Sequence, residues 1–327
     1  MQDFQEFTTP DRVEPAPDDD VGGAGEDPAA KPVSSRRLLV VVNPGSRSGA
    51  QAIGLAGARL SAAGFDLVLS APCSRHEVGP WIEAHAEGAQ AVVVAGGDGT
   101  LNAVAETLVK TKLPLGVIPA GTANDLARSL GLPLDMEKAA DVIVAGHRKQ
   151  IDLGDVNGHK FFNVASVGLS ADLARELSGE IKRKFGRISY AITAAKVLGK
   201  ARPFRASIVS EEGSVLVRTM QIAVGNGRYY GGGMAVEHTA EIDDGQLDLY
   251  SLEFGRVWKL LALAYDFRRG RHGLWREVRS ARGSSFEVRT RKPRPVNADG
   301  ELVTFTPAQF SQLRKAVTVF VPKQTLA

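Results

Sequence analysis

The sequence predicts two domains, a parallel α/β domain followed by an antiparallel β domain. In the first half of the chain, short apolar runs alternate with segments of helical spacing, which is the pattern of a parallel sheet covered by helices. In the second half, strand-like segments follow one another with one helical stretch among them, which is typical of a sandwich or a barrel. The rhythm changes after Gly146, which places the domain boundary near residue 148.

The strands predicted for the first domain are apolar runs bounded by turn residues, and helical segments separate them. The predicted strands are residues 37–43, 65–71, 89–97 and 113–121. The predicted helices are residues 49–64, 76–88, 100–111, 123–132 and 136–146. The Gly79-Pro80 pair is expected to break the second of these helices.

The second domain begins with two strands around an Asn157-Gly158 turn, a typical hairpin sequence. A helical stretch follows at residues 171–200, and strand-like segments then lie at residues 204–227, 245–254, 284–292, 303–307 and 315–322. We therefore expect an α/β domain over residues 36–148 and a β-sandwich domain over residues 149–327. The extreme C-terminus is able to pack back on the first domain.

The net charge of +3 is the sum of an acidic N-terminal tail and a basic body. Residues 1–34 contain nine acidic and two basic side chains, which leaves 38 basic and 28 acidic ones, a net +10, on the body. The tail has few large apolar residues, so residues 1–35 are predicted to be disordered. A basic body indicates an anionic partner, such as nucleotide phosphates, anionic lipid or nucleic acid. No nucleic-acid-binding module is recognisable, so nucleic acid is not expected.

Composition excludes several other classes of protein. The single cysteine, Cys73, excludes an internal disulfide and a metal site built from cysteines alone. No apolar run reaches the roughly 18 residues of a membrane-spanning helix. The N-terminus lacks the basic and apolar regions of a secretory signal. We therefore expect a soluble, cytoplasmic protein.

Three unusual loops follow predicted strands of the first domain, at residues 43–49, 96–102 and 119–128. Because ligands bind outside the carboxyl ends of the strands in such sheets, the three loops are expected to form one binding rim. The glycines of the middle loop, GGDGTLN, let backbone N–H groups approach a phosphate. Asn102 breaks the dinucleotide-binding pattern, and no lysine completes a P-loop. A glycine turn that serves only strand-to-helix packing is the alternative.

Asp98 lies inside this loop, where a carboxylate repels phosphate unless a metal ion intervenes. It therefore indicates Mg²⁺, held directly or through water. A hydrogen bond from Asp98 within its own turn is the alternative. Thr100 is able to cap the following helix or to contact a phosphate oxygen.

GGDGTLN and the PAGTANDLAR segment at residues 119–128, after an Asn-Pro strand end, resemble the diacylglycerol kinase catalytic family. This family covers bacterial diacylglycerol kinase-like lipid kinases and the sphingosine and ceramide kinases. Segments at residues 163–172, 225–234, 240–249 and 297–302 are similar to the family in type and order. The resemblance implies a phosphofructokinase/NAD kinase-like α/β domain before the β-sandwich. The first loop departs from the family pattern, because Arg47 and Ser48 intervene before Gly49.

The resemblance implies an ATP-dependent enzyme that transfers the γ-phosphoryl group to the hydroxyl of a lipid alcohol such as diacylglycerol. The implied nucleotide contacts are Asn43, Ser46, Ser70, Gly96, Gly97, Asp98, Gly99, Thr100, Leu101, Asn102 and Thr122. It also implies a structural Mg²⁺ in the second domain, held by the Asp244 carboxylate and by backbone carbonyls near Glu241 and Gln246. A plain hairpin turn at the Asp-Asp-Gly sequence is the alternative.

Phosphoryl transfer to a lipid hydroxyl calls for a general base, because the hydroxyl is a poor nucleophile until its proton is removed. The family carries its base where this chain has Asp299-Gly300-Glu301. Glu301 is assigned as the base, and Asp299 either orients it or shares its role, since the sequence does not separate the two. Asp98 completes the catalytic set. A β-turn with two solvated acids is the alternative.

Residues 256–294 hold twelve basic and three acidic side chains, with tryptophan, leucine and phenylalanine between the arginines. Such a segment suits a surface that faces anionic headgroups, and a helix with a solvated basic face is the alternative. We expect a lipid substrate, contact with an anionic membrane and a peripheral location at its inner face; a homodimer is left open. The alternative functions are an NAD kinase-like phosphotransferase and a catalytically idle lipid-binding protein on the same fold.

Overall fold

Two β-sheets and a short two-stranded ribbon form the framework of the protein in the computed structural model. The structure describes residues 36–42, 53–70, 74–176, 199–227, 229–230, 234–235, 241–254 and 278–323. The acidic tail, most of the first predicted loop and residues 255–277 of the basic segment lie outside the described residues.

Parallel strands form the first half of the large sheet. They are β1 (Arg37–Val42), β2 (Asp66–Leu69), β3 (Ala89–Gly96) and β4 (Leu115–Pro119), in the order β2-β1-β3-β4. The helices of this half are α1 (Ala58–Ala62), which continues a π-helical turn at Ile53–Gly57, α2 (Arg75–His85), α3 (Asp98–Asn102), α4 (Ala105–Thr111), α5 (Asp125–Ser129) and α6 (Met136–Ala145). β1 and β4 are buried along nearly their whole length, as expected for strands inside a parallel sheet.

Two helix predictions differ from the structure. The expected break at Gly79-Pro80 is wrong, because α2 runs through it. The helix is held at its start by the Ser74 N–H group, which donates to the Glu77 carboxylate at 3.0 Å, and along its length by the buried Val78 and Ile82. The single helix predicted over residues 100–111 is instead divided into α3 and α4.

The second half of the chain contributes mainly strands. They are β5 (Arg148–Val156), β6 (His159–Phe161), β7 (Val164–Gly168), β8 (Phe204–Ser210), β9 (Gly213–Thr219), β10 (Gln221–Gly225), β11 (Tyr229–Tyr230), β12 (Met234–Ala235), β13 (Leu247–Leu252), β14 (Val278–Gly283), β15 (Ser285–Thr290), β16 (Pro295–Ala298), β17 (Glu301–Phe305) and β18 (Ala308–Phe320). One helix, α7 (Leu169–Glu176), follows β7 within the described residues.

The last strand, β18, joins the two halves of the molecule. It lies parallel to β4 and antiparallel to β5 and β15, so the large sheet continues in the order β4-β18-β15-β8-β9. The register of the β5–β18 pairing shifts at a bulge between Leu313 and Val317. β6 pairs with β5. The domain boundary near residue 148 stays a prediction, and β5 begins there, at Arg148.

The second sheet is antiparallel, in the order β14-β13-β10-β7-β16-β17, and it packs face to face with part of the large sheet. Phe161, Phe286 and Phe310 of the large sheet share one apolar core with Val167 and Leu249 of the second. The predicted fold class, an α/β half followed by an antiparallel β-sandwich, is confirmed. Among the described helices, none has the length and apolar character needed to cross a bilayer.

Candidate active site

The GGDGTLN loop leaves the carboxyl end of β3 and lies directly against the loop that follows β4. A Cβ built on Gly97 would lie 2.9 Å from Gly121 Cα, and one built on Gly121 would lie 2.5 Å from Gly97 Cα. The two backbones therefore approach this closely only because neither residue has a side chain. Thr100 lies against Gly96 in a similar way, with Oγ1 2.7 Å from the position of a Cβ there. Two of the three unusual loops thus lie side by side.

Asp98 connects these two loops through a hydrogen bond. Its Oδ1 accepts the Leu126 N–H group at 3.1 Å, in the first turn of α5. Asn124 precedes α5 with a φ of 53°. Its side-chain amide closes a turn by accepting the Gly121 N–H and donating to the Gly121 carbonyl, both at 3.0 Å. The Asp98 carboxylate thus serves the neighbouring helix rather than its own turn, and Mg²⁺ at this group stays a prediction.

The Asp299-Gly300-Glu301 turn joins β16 to β17, and its first residue is anchored to the strand beside it. The Asp299 carboxylate accepts backbone N–H groups from Phe162 at 2.6 Å and from Asn163 and Val164 at 3.0 Å each. It also accepts the side-chain amide of Asn102 at 3.3 Å. Asn102 is the last residue of α3, so this bond ties the GGDGTLN loop to the turn.

The two carboxylates of the turn have different surroundings. Burial raises the pKa of Asp299 to about 6, although the N–H donors from Val164, Phe162, Asn163 and Asn102 act in the opposite direction. Asp299 is half-buried as a whole residue, and its carboxylate is held by four donors. The Glu301 side chain is 47% exposed and has no such backbone cradle in the described residues. Glu301 is thus the carboxylate of the turn that a substrate can reach.

Arg75, the first residue of α2, is a site residue that the sequence reasoning missed. One guanidinium nitrogen donates to Glu301 Oε1 and the other to the Gly99 carbonyl oxygen at 2.5 Å. The side chain therefore bridges the glycine loop and the turn that carries Glu301. The signal available in the sequence was a basic residue shortly after the end of the second strand, close to the expected rim.

A buried network behind the turn supports the segment that holds Asp299. The side-chain amide of Asn226 donates to the carbonyls of Asp152 and Phe162 at 3.0 Å each, and its backbone N–H donates to Asn163 O at 2.8 Å. Asp152 Oδ2 in turn accepts the Gly245 N–H at 2.9 Å. Asn226 and Asp152 are both almost fully buried, so they position the site without facing it.

The Asp-Asp-Gly turn folds around the Asp244 carboxylate. That carboxylate accepts the N–H groups of Glu241 at 3.1 Å and Gln246 at 2.9 Å, and it also receives the guanidinium of Arg282. A magnesium ion at Asp244 would share this carboxylate with Arg282. The described residues contain no group of three or more His, Cys, Asp or Glu side chains arranged around a metal position. The metal assignment at Glu241, Asp244 and Gln246 therefore stays a prediction.

The remaining predicted nucleotide contacts are placed less directly. Ser70 follows β2, and its hydroxyl accepts the Val42 N–H at 3.3 Å, where the first loop begins. Thr122 is exposed in the loop after β4, whereas the Leu101 side chain is buried in the core and offers only its backbone to a ligand. Asn43 and Ser46 lie outside the described residues.

Known protein families match both halves of the chain. The family description "Diacylglycerol kinase catalytic domain" matches residues 37–156, and "YegS C-terminal NAD kinase beta sandwich-like domain" matches residues 163–321. A diacylglycerol kinase of Mycobacterium tuberculosis (strain CDC 1551 / Oshkosh) is 34% identical over 297 residues, which are 88% of this chain and 96% of that protein. A diacylglycerol kinase of Bacillus subtilis (strain 168) is 30% identical over 71% of this chain and 78% of that protein. A solved structure from Bacillus anthracis str. Sterne has a TM-score of 0.74 at 25% identity and covers 91% of this chain and 98% of that one.

Proposed function

Because this chain belongs to the diacylglycerol kinase catalytic-domain family and is a lipid kinase, we propose that it transfers the γ-phosphoryl group of ATP to the hydroxyl of a lipid alcohol such as diacylglycerol. The observation that carries the proposal is the double link between the glycine loop and the Asp299-Gly300-Glu301 turn. Arg75 joins Gly99 to Glu301, and Asn102 joins α3 to Asp299. A phosphate on the loop and a hydroxyl beside Glu301 would therefore be neighbours.

The glycine loop binds the phosphates in this proposal. A Cβ at Gly99 would meet no described atom within 4 Å, which leaves that side of the backbone open to a ligand, whereas Gly97 faces Gly121. Asn43, Ser46, Ser70 and Thr122 complete the nucleotide site, as the family resemblance implies. Magnesium bound with ATP would supply charge neutralisation for the phosphates, and Asp98, the one carboxylate of the loop sequence, would help to hold it.

Glu301 acts as the general base in this proposal. Its exposed carboxylate takes the proton of the lipid hydroxyl while the hydroxyl oxygen attacks the γ-phosphorus and ADP leaves. Asp299 is a positioning residue, because its carboxylate is occupied by backbone and Asn102 donors. The sequence did not separate the base from the residue that orients it. The proposal assigns the base to Glu301 and the orienting role to Asp299. The second proposed magnesium site, at Asp244, is structural and lies on the turn that Asp152 connects to the site.

The substrate is proposed to reach the site from a membrane surface. The support is the excess of basic side chains in residues 256–294 and the apolar and aromatic residues among them. We therefore propose peripheral contact with anionic lipid at the inner membrane face.

The deciding experiment is a reaction of the purified protein with labelled ATP, Mg²⁺ and total lipid extract, in which the phosphorylated product is identified by mass. We expect a phosphorylated lipid alcohol, and Glu301→Gln is expected to reduce kcat by about 100-fold or more, because the base is lost. Glu106→Gln is the matched control, since Glu106 is an exposed acid that pairs with Lys110 on α4.

Two outcomes would contradict the proposal. Phosphorylation of NAD, with none of the lipids, would identify the NAD kinase-like alternative. ATP binding without phosphorylation of any lipid alcohol in a broad panel would identify the catalytically idle alternative. Full activity of Glu301→Gln would reject the base assignment and leave the kinase proposal in place.

A further inference from the structure

Arg75 is the point at which two distant parts of the chain meet over the site. It donates to Glu301 Oε1, 226 residues away in sequence, and to the Gly99 carbonyl, 24 residues away. The Ser74 N–H group, which donates to the Glu77 carboxylate at 3.0 Å, fixes the start of α2 and therefore the backbone of Arg75. The guanidinium is thus attached to a defined helix end and reaches both loops.

The proposed reaction is favoured by a cation at this position, in addition to the magnesium that would be bound with ATP. Under that proposal the Glu301 carboxylate and the terminal phosphate of ATP approach the same hydroxyl from two sides. Two anions at such short range repel each other, and the loop has no lysine to screen them. A cation that contacts both groups removes this obstacle.

Other described cations near the two loops have partners elsewhere. The Lys160 ammonium binds the Asp155 carboxylate at 2.5 Å and the Gly158 carbonyl at 3.0 Å. Arg128 Nε donates to the Ala123 carbonyl at 3.1 Å, within its own loop. Arg75 is the described cation that contacts both Gly99 and Glu301.

We propose that Arg75 binds the terminal phosphate of the nucleotide and holds Glu301 beside it. This inference rests on the proposed function, and it names the group that replaces the lysine of a P-loop. A guanidinium has five N–H donors in a planar fork, and Gly99 and Glu301 use two of them in the described residues. The same side chain can therefore serve a phosphate and a carboxylate together.

The contribution of the Arg75–Glu301 ion pair to stability does not explain why Arg75 lies between the two loops. The side chains of Arg75 and Glu301 are 42% and 47% exposed, and pairs this exposed add little to stability. The position between the glycine loop and the carboxylate of the turn is what a phosphate-binding role explains. Arginine in such a place stabilises the charge that develops on the transferring phosphoryl group.

The test compares the affinities of ATP and ADP by calorimetry, with Mg²⁺ and without lipid. We expect Arg75→Ala to lose about tenfold or more in ATP affinity, because a charge-assisted hydrogen bond to the terminal phosphate is removed. The affinity for ADP, which lacks that phosphate, is expected to change by less than about threefold. Arg75→Lys keeps the charge without the fork and is expected to recover part of the loss.

Arg59→Ala is the matched control, because Arg59 forms an exposed ion pair with Asp141 between two helices of the same half. It is expected to bind both nucleotides like the unmodified protein. Equal losses of ATP and ADP in Arg75→Ala, or unchanged ATP affinity, would overturn the inference and leave the kinase proposal intact. Absence of nucleotide binding by the unmodified protein would overturn both.

Discussion

The side-chain amide of Asn102 donates to Asp299 Oδ2 at 3.3 Å and to the Lys160 carbonyl at 3.2 Å. One residue at the end of α3 therefore binds both the turn that carries Glu301 and the hairpin of the second half. This arrangement requires a donor at position 102, because both partners are acceptors. The first of the two helices into which the predicted segment is divided ends at this residue, and the second begins at Ala105.

We expect Asn102→Asp to destabilise the protein more than Asn102→Ala. The aspartate would bring a second carboxylate against Asp299, whereas alanine only removes the donor. The expected decrease in the free energy of unfolding is about 1–3 kcal/mol for Asn102→Ala and larger for Asn102→Asp. Urea unfolding of both variants at pH 7.5 measures this. Stability of both variants equal to that of the unmodified protein would show that the Asp299 contact has no role in joining the halves.

The raised pKa of Asp299 predicts a specific pH dependence of stability. The folded carboxyl has a pKa of about 6 against an ordinary value of 3.8, so the folded state binds the proton more tightly than the unfolded state does. The contribution of Asp299 to the free energy of unfolding is fully present below the ordinary pKa of 3.8. It decreases as the pH rises through the folded pKa of about 6 and is lost above it. Its total size is about 3 kcal/mol at most.

Asp299→Asn provides the measurement of this effect. The variant does not titrate at position 299, so the difference in unfolding free energy between the unmodified protein and the variant should change between pH 4 and pH 6.5. We expect the unmodified protein to lose stability relative to the variant as pH rises through this window. A difference that is constant with pH would contradict the raised pKa.

Asp98 is expected to have a structural role that can be separated from a role with metal. Asp98→Ala removes the acceptor for the Leu126 N–H at the start of α5, which costs about 0.5–2 kcal/mol of stability. Asp98→Asn keeps an acceptor oxygen and should retain most of that stability. If the asparagine variant is stable but its kcat falls about tenfold or more, the charge of Asp98 is used by the proposed Mg²⁺. Full activity of that variant would limit Asp98 to the structural role.

Arg282 predicts how the Asp244 turn responds to metal removal. The guanidinium of Arg282 balances the Asp244 carboxylate in the structure. We expect Arg282→Gln to make the melting temperature depend on Mg²⁺, so that EDTA lowers it by several degrees more than in the unmodified protein. Asp244→Asn serves as the control, because it removes the carboxylate that both cations would use. The same EDTA effect in the unmodified protein and Arg282→Gln would contradict competition between the arginine and a metal.

The basic segment gives a prediction about membranes. Replacing Arg268, Arg269 and Arg271 together by alanine should weaken binding to vesicles rich in phosphatidylglycerol, by about 1 kcal/mol for each arginine that approaches the surface. Sedimentation with vesicles at low and physiological salt measures this, and binding to neutral vesicles is the reference. Unchanged sedimentation with the anionic vesicles would reject the segment as a membrane surface.

Local patterns in the sequence were sufficient for the architecture and for the glycine loop. Buried parallel strands such as β1 and β4 appear as continuous apolar runs, and the alternation with helices predicts their parallel arrangement. The requirement for glycine at position 97 is also visible, because a loop between a strand and a helix with several glycines indicates close backbone contact. The contact partner, Gly121, depends on the loop after the next strand and required the structure.

The sequence by itself determined the two-part α/β and β-sandwich fold, the rim loops and the motifs that the family shares. Only the tertiary structure separated Asp299 from Glu301, gave Asp98 its partner in α5 and brought Arg75 to Glu301. The physical reason is the sequence separation over which each kind of interaction acts. Periodicity and turn chemistry act over a few residues, whereas Asn102 meets Asp299 across 197 positions and Arg75 meets Glu301 across 226. Burial and hydrogen-bond partners at such distances arise only in the folded chain, and they decide which acid is enclosed and which remains accessible.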